Sequence, residues 1–343
     1  MLRGRIRSAS GARADAAAAR GGRAKSSGWR AIVLRLAQRP LPGTGVAGMV
    51  GEHGGRGVVM ARIRTVGLVV KRDRPRAARL ARRMITWLRR RGLRVLLDVE
   101  AGLGGAPTRS KDELARECDL VVVLGGDGTL LAIARRAGSR VPILGVHLGE
   151  LGFLTEVVER EAMPMLGRVI AGHYELDRRM TIAARLERDG RVVQRFRALN
   201  DVVITNGARA RIVQFSVSVD GLPLTTYRAD GIIVATPTGS TAYSLSVGGP
   251  IVEPSVQVLL LSPISPHTVS NRPMVLPPRA VVRIVVAAHE QDALLTIDGQ
   301  EAMPLGGGDA VEVRQGRAPV SLVRSRDHTY YDVLRSKLGW GAR

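Results

Sequence analysis

Two glycine-containing loops hold the residues best placed for chemistry. The first, Gly125-Gly126-Asp127-Gly128-Thr129, directly follows the apolar run Leu120–Leu124. At the carboxyl end of a buried strand, backbone N–H groups and the start of the next helix face outward and suit an anion. The same residues also suit a plain strand-to-helix turn, where glycine takes positive φ and aspartate is a local turn former. Asp127 separates the two readings. A carboxylate inside a phosphate loop repels its ligand unless Mg²⁺ bridges carboxylate and phosphate oxygens, or unless the carboxylate deprotonates a substrate hydroxyl. Both possibilities are phosphoryl-transfer chemistry.

The second loop follows the run Gly231–Ala235 and extends from Thr236 to Pro250, with six Ser or Thr and three Gly in fifteen residues. Such a composition also describes an ordinary polar loop. Its place after a buried strand, and the lone Tyr243 among hydroxyls, favour a ligand. Small residues let a planar base approach, Tyr243 can stack or hydrogen-bond, and hydroxyls can hold ribose or phosphate oxygens. Two such loops in two halves of the chain put the ligand between those halves.

Two familiar nucleotide motifs are missing. No G-x-x-x-x-G-K-[ST] is present, and Leu131 occupies the last glycine position of what would be G-x-G-x-x-G. A P-loop protein and a hydride-transferring dinucleotide enzyme are both disfavoured.

The elements that must position these loops alternate at first. Thr65–Val70, Leu93–Leu97, Leu120–Leu124 and Val141–Val146 read as strands. Pro75 opens a helix whose Leu80, Met84, Trp87 and Leu88 share one face, and a second helix covers about Leu130–Ala137. Strands separated by helices imply a Rossmann-like parallel sheet. The later half reads as short β runs at Thr181–Leu186, Val192–Phe196, Asp201–Thr205, Val213–Val219, Gly231–Ala235, Val281–Val286, Ala293–Ile297 and Ala310–Val313. Asp-Gly and Gly-rich turns separate them, and helical periodicity returns only at Tyr331–Leu338. The fold class is therefore α/β followed by a mostly antiparallel β domain. The expected divisions are an α/β domain over 60–160 and a β-rich ligand-binding domain over 175–324, with a segment of about 325–343 packing back on the first.

The chain has 343 residues, 45% of them apolar and only 3% aromatic, so its cores must be aliphatic. No apolar run reaches the roughly 18 residues that span a bilayer. A single cysteine, Cys118, excludes a disulfide framework and suits a reducing compartment. The expectation is a cytoplasmic protein with no membrane partner. The net charge of +22 invites a nucleic-acid reading, but residues 1–59 supply +9 of it, with eleven Lys and Arg against Asp15 and Glu52. The aromatic platforms of a single-strand binder are missing. That leader could be a basic tail, a transit peptide or translated upstream sequence. Met60, just before the first strand, favours the last, and the segment is expected to be disordered or untranslated.

Taken together, Gly125–Thr129, Leu151-Gly152-Phe153-Leu154, Asn200-Asp201, Ala229-Asp230-Gly231, the hydroxyl-rich loop, Ser265-Pro266-His267-Thr268 and Asp298-Gly299-Gln300 resemble an NAD kinase. The resemblance covers about 63–343, including Tyr331-Asp332-Val333-Leu334 and Leu338-Gly339-Trp340. It implies ATP, with inorganic polyphosphate as the alternative donor, phosphorylating the 2′-hydroxyl of the adenosine ribose of NAD with Mg²⁺, in a homodimer or homotetramer. Asp127 would accept the proton and Gly128 would approach the substrate, while Gly125, Gly126, Gly128 and Thr129 form the phosphate loop. Asn200 and Asp201 would bind the dinucleotide, and Asp230 would lie near the nicotinamide end. Thr241, Ala242, Tyr243, Ser244, Leu245 and Ser246 would line the adenosine pocket, with Gln300 a further contact. Arg211 and Arg228 are candidates for phosphates. One position departs from the family, His147 standing where asparagine is usual.

Three other readings remain. A diacylglycerol or sphingosine kinase shares the first loop but needs an apolar acyl surface where the second loop is polar. A non-catalytic nucleotide-binding regulator would not need Asp127. A nucleic-acid-binding protein comes last, because the surplus charge concentrates in the leader.

Overall fold

The computed structural model describes residues 62–149, 152–207, 213–267, 271–287, 293–325 and 327–340. The leader, Leu151, Arg211 and Thr268 lie outside the described residues.

The first layer grows from a buried strand, β1 (Thr65–Val70), and helix α1 (Pro75–Arg89). Proline at the first helical position needs no backbone donor there, and α1 buries Ala77, Leu80, Ala81, Met84, Ile85 and Leu88 on its sheet-facing side. Strands β2 (Arg94–Asp98) and β3 (Thr108–Arg109) follow, then α2 (Lys111–Glu117), closed at its start by a reciprocal Ser110–Glu113 capping box. Next come β4 (Leu120–Gly125), α3 (Asp127–Ala134), β5 (Ile143–His147), β6 (Val157–Val158), α4 (Ala162–Ile170) and β7 (Leu176–Arg179).

The chain then turns to β-structure: β8 (Ile182–Arg188), β9 (Arg191–Ala198), β10 (Asp201–Asn206), β11 (Val213–Val219), β12 (Leu222–Ala229) and β13 (Gly231–Ala235). A short helix, α5 (Tyr243–Ser246), lies in the second loop. The remaining strands are β14 (Leu259–Ile264), β15 (Met274–Leu276), β16 (Val282–Val286), β17 (Ala293–Ile297), β18 (Glu301–Leu305), β19 (Ala310–Gln315) and β20 (Val320–Val323). Helix α6 (Tyr330–Leu338) closes the described chain.

The first sheet runs β3-β2-β1-β4-β5-β20-β7, with β6 paired to β5. It is parallel except where β20 meets β7. Two six-stranded antiparallel sheets, β15-β14-β13-β10-β17-β18 and β12-β11-β16-β19-β8-β9, face each other across one aliphatic core. Alternate residues point inward from both, such as Val202, Ile204, Ile232 and Val234 from one and Phe215, Val217, Ile284 and Val311 from the other. The fold class read from the sequence is the one observed.

Leu176–Arg179 and Val320–Val323 fall within the residues expected to build the β-rich half. They are instead the last two strands of the first sheet, because Leu322 pairs with Ile143 and with Asp177. The chain thus enters and leaves the sandwich through adjacent strands of the α/β sheet. Arg197 reinforces this junction by donating to the carbonyls of Ala137 and Ala318. Among the described residues no helix is long and apolar enough to cross a membrane.

Candidate active site

Asp127 is the first residue of α3, at the carboxyl end of β4, where Val70, Leu124 and Val146 bring three parallel strands to one edge. Its carboxylate turns toward the loop Gly152–Thr155. Oδ2 accepts the Phe153 N–H at 2.8 Å, and Oδ1 accepts the N–H groups of Leu154 and Thr155 at 3.1 Å and the Thr155 hydroxyl at 2.9 Å. Thr155 is fully buried. Any Cβ at position 152 would overlap Asp127 Oδ1 and the Thr155 hydroxyl, so the loop can approach this closely only with glycine there. Three donors share Oδ1, while Oδ2 takes one backbone donor and keeps acceptor capacity for a ligand.

Beside α3 a cavity of about 670 Å³ is lined by Val69, Val70, Lys71, Arg72, Asp98, Glu100, Lys111, Gly126, Gly128, Thr129 and Ala132. The glycine loop thus faces a basic wall. Lys71 and Arg72 form no ion pair among the described residues, whereas the Lys111 ammonium lies 2.9 Å from Asp98 and 2.5 Å from Glu100. These cations were not picked out from the sequence. The available signal was Lys71-Arg72 immediately after a buried strand, on the sheet edge where α/β folds bind ligands.

A second cavity, of about 400 Å³, is lined by Asn200, Asp201, Val203, Thr205, Ala242, Tyr243, Thr296, Asp298 and Gly299. Four residues chosen for the dinucleotide therefore meet: Asn200, Asp201, Ala242 and Tyr243. Asn200 Oδ1 is buried without a hydrogen-bond partner. A buried unpaired acceptor costs on the order of 1–3 kcal/mol, which a ligand donor would recover. Burial pushes the Asp201 carboxyl up to about 7, and the charge of neighbouring Asp298 adds to the shift.

Several hydroxyls of the second loop serve the protein rather than the cavity. The Thr236 hydroxyl donates to the Leu199 carbonyl at 2.6 Å and accepts the Gly239 N–H at 3.1 Å, while the Thr236 N–H donates to Asn200 O at 2.8 Å. A side chain at Gly239 would collide with the Asn200 carbonyl. Thr241 Oγ1 donates to Thr238 O, and Ser240 Oγ pairs with the backbone of Val252. Ser244 is buried with its hydroxyl 3.3 Å from that of Ser262, whereas Tyr243 and Ser246 are exposed and Leu245 is half-buried. Thr236 ties the start of the loop to Leu199-Asn200 while Ser240, Thr241 and Ser244 bond Val252, Thr238 and Ser262, and Ala242 and Tyr243 are left lining the cavity.

One hairpin turn joins the two cavities. Asp298, in a left-handed conformation with φ 49° that aspartate tolerates, sends its buried carboxylate under the backbone of Leu199, Asn200 and Asp201. Oδ1 accepts the three N–H groups at 3.1, 2.7 and 3.1 Å. Burial raises the Asp298 carboxyl and these N–H bonds pull against that rise. Two residues on, the Gln300 amide donates to Gly128 O at 2.6 Å and accepts from Arg135 at 3.2 Å.

The other nominated residues lie elsewhere. Asp230 precedes β13, at the end where Thr205 pairs with Gly231, whereas Asp201 pairs with Ala235 at the opposite end. Four residues of strand separate these ends, roughly 13 Å. Arg228 is exposed on β12, its carbonyl accepting the His267 N–H. His147 pairs with Gly125 across β4 and β5, and its Nδ1 accepts the Gly149 N–H at 2.9 Å. Buried Arg179 reaches Asp177 at 2.7 Å, Glu156 at 3.9 Å and the Thr238 hydroxyl at 3.5 Å, tying the segment just after Thr155 to the second loop. Tyr330 of α6 packs on Phe153 with ring centroids 6.4 Å apart.

Among the described residues no three His, Cys, Asp or Glu side chains converge as a metal cage. The single Asp127 carboxylate beside the glycine loop is a donor set compatible with Mg²⁺, which keeps waters and binds through one or two carboxylates plus substrate phosphates.

Comparison with known proteins identifies the family. Residues 66–174 match the ATP-NAD kinase N-terminal domain, and residues 199–325 match the ATP-NAD kinase C-terminal domain. The chain is 45% identical over 285 residues to the NAD kinase of Syntrophotalea carbinolica, covering 82% of this chain and 100% of that one. It is 45% identical over 284 residues to the NAD kinase of Geobacter sulfurreducens, with the same coverage. Yeast NADH kinase, solved with NADH, superposes with a TM-score of 0.77 at 27% identity over 82% of this chain and 89% of that one. An Archaeoglobus fulgidus NAD kinase solved with ATP has a TM-score of 0.63 at 24% identity over 80% and 96%, a likeness of fold.

Proposed function

The chain belongs to the ATP-NAD kinase family and phosphorylates NAD, and on that premise we propose how its residues divide the work. ATP supplies the phosphoryl group, and the acceptor is the 2′-hydroxyl of the adenosine ribose. The observation that carries this reading is the Asp127 carboxylate, carried on the first turn of α3 and anchored through Oδ1 to Leu154 and Thr155, with Oδ2 able to accept one more hydrogen bond.

Phosphoryl transfer proceeds through a loose transition state and demands positioning and charge stabilisation more than covalent chemistry. The α3 N-terminus, Lys71 and Arg72 face the donor phosphates from the larger cavity. Asn200, Asp201, Ala242 and Tyr243 receive the adenosine end of NAD, with the unpaired Asn200 Oδ1 accepting from the ligand. The ribose oxygen forms the new bond to phosphorus as the bond to ADP breaks, and its proton passes to Asp127 Oδ2. Mg²⁺ would be held by the donor phosphates beside Asp127 and would neutralise phosphate charge. Asp230 and Arg228 belong to the nicotinamide and phosphate end of the ligand in this reading. A cytoplasmic homo-oligomer completes it.

The test is a coupled assay of purified protein with NAD, ATP and Mg²⁺, in which an NADP-specific dehydrogenase detects product. NADP that forms with ATP and disappears with EDTA supports the reading. NADP only with inorganic polyphosphate overturns the donor, and none with either overturns the activity.

A further inference from the structure

Gln300 resembles a substrate contact in sequence, yet both ends of its side-chain amide are engaged by the protein. Nε2 donates to Gly128 O at 2.6 Å, and Oε1 accepts from Arg135 at 3.2 Å. Arg135, one residue beyond α3, also donates to the Ile297 carbonyl at 3.1 Å and pairs with Glu301 at 3.2 Å. The turn between β17 and β18 is therefore fastened to both ends of α3. Its other side holds Leu199, Asn200 and Asp201 through the buried Asp298 carboxylate, and the Asp298 N–H donates to Asp201 O at 3.0 Å.

We propose that Asp298 and Gln300 are positioning residues for phosphoryl transfer: one turn fixes the helix that carries Asp127 relative to the Asn200-Asp201 pair that receives the acceptor. This rests on the kinase reading above. The two groups it aligns come from different sheets, since Asp127 follows β4 of the parallel sheet and Asn200-Asp201 opens β10 of the sandwich. Displacing reacting groups by about 1 Å can cost as much as 10²-fold in rate. Binding of either substrate alone uses one side of the turn. Transfer between substrates uses both.

Gln300 is exposed, so substituting it spares the core. Gln300→Glu keeps the shape and removes the donor to Gly128 O, and Gln300→Ala removes the side chain. Each is expected to lower kcat for NADP formation about tenfold while KM for NAD and for ATP stays within about twofold, since the loss falls on the transition state. Arg135→Ala alone should act in the same direction, and the Arg135→Ala/Gln300→Ala pair should lose much less than the product of the single losses, because both fasten one turn. Asp298→Asn, which keeps one carbonyl oxygen for the N–H groups, should lower kcat less than Asp298→Ala. A raised KM for NAD with unchanged kcat in Gln300→Ala would make Gln300 a direct substrate contact and overturn the proposal. Unchanged kinetics in both Gln300 variants would overturn it as well. Wild-type protein run alongside separates these results from failure of the kinase reading, which would show as no NADP at all.

Discussion

The Thr155 hydroxyl donates to Asp127 Oδ1 at 2.9 Å across 28 residues of sequence, and Thr155 is fully buried. The carboxylate proposed to take the proton of the acceptor hydroxyl is thus oriented by a loop between β5 and β6. Thr155→Val removes one of the three donors on Oδ1 and leaves a buried methyl against the carboxylate. The expected outcome is a fall in kcat of about tenfold with KM for NAD nearly unchanged, recovered by Thr155→Ser. Steady-state kinetics of the two variants check it.

Gly239→Ala should damage the site from the opposite side. Its new Cβ would run into the Asn200 carbonyl, and backbone on both sides cannot yield as a flexible side chain can. A loss of about 1–3 kcal/mol in stability is expected from overpacking of this kind. Denaturant unfolding measures that loss, and NAD affinity should fall with it because Asn200 is displaced. Gly248→Ala removes no such approach, since nothing lies near its Cβ, although its positive φ of 82° carries a smaller strain.

Stability should decline as pH rises through the weakly acidic range. The folded-state pKa of Asp201 is raised to about 7 from 3.8, and that of Asp298 is raised too, so the folded state holds more protons than the unfolded one between those values. Their contribution to stability is fully present below about pH 4 and is lost as pH climbs to about 7. Thermal melts of wild type at pH 5, 6, 7 and 8 should show this decline. In Asp201→Asn the slope should shrink, and an unchanged slope would show that other groups govern it.

Cys118 should be chemically silent. Its thiol is 1% exposed and burial pushes it up to about 12, so little thiolate exists at neutral pH. Reaction with an aromatic disulfide reagent should release no chromophore from native protein and one equivalent per chain after denaturation. Rapid native reaction would place Cys118 in an opening segment.

Much of this fold was legible because its strands obey simple rules. β11, β13 and β17 have the limits that their apolar runs and flanking turns predict, and β4 runs into the glycine loop as expected. Other elements carry weak local signals. β14 contains Pro263, β12 is mostly exposed, and α2 has only Leu114 buried. The return of β7 and β20 to the first sheet is a long-range pairing that no local periodicity encodes.

The site was legible in a similar proportion. Asp127 and Tyr243 stood out because their residue types are unusual where they occur, whereas Asn200, Asp201 and Ala242 were expected only from the resemblance to the kinase family. Asp298 did not, since Asp-Gly between two strands already explains itself as a hairpin turn. Only the fold reveals that its carboxylate lies under the Asn200 backbone. Ser244, a hydroxyl that suits a ligand in sequence, is buried with its oxygen 3.3 Å from that of Ser262.

The most direct test of the account compares wild type and Asp127→Ala for NADP formation from NAD and ATP, with NAD affinity measured by calorimetry on the same samples. The account predicts that turnover falls roughly 10²–10⁴-fold while NAD still binds with an affinity close to that of wild type. Turnover within a few-fold of wild type in Asp127→Ala would contradict it.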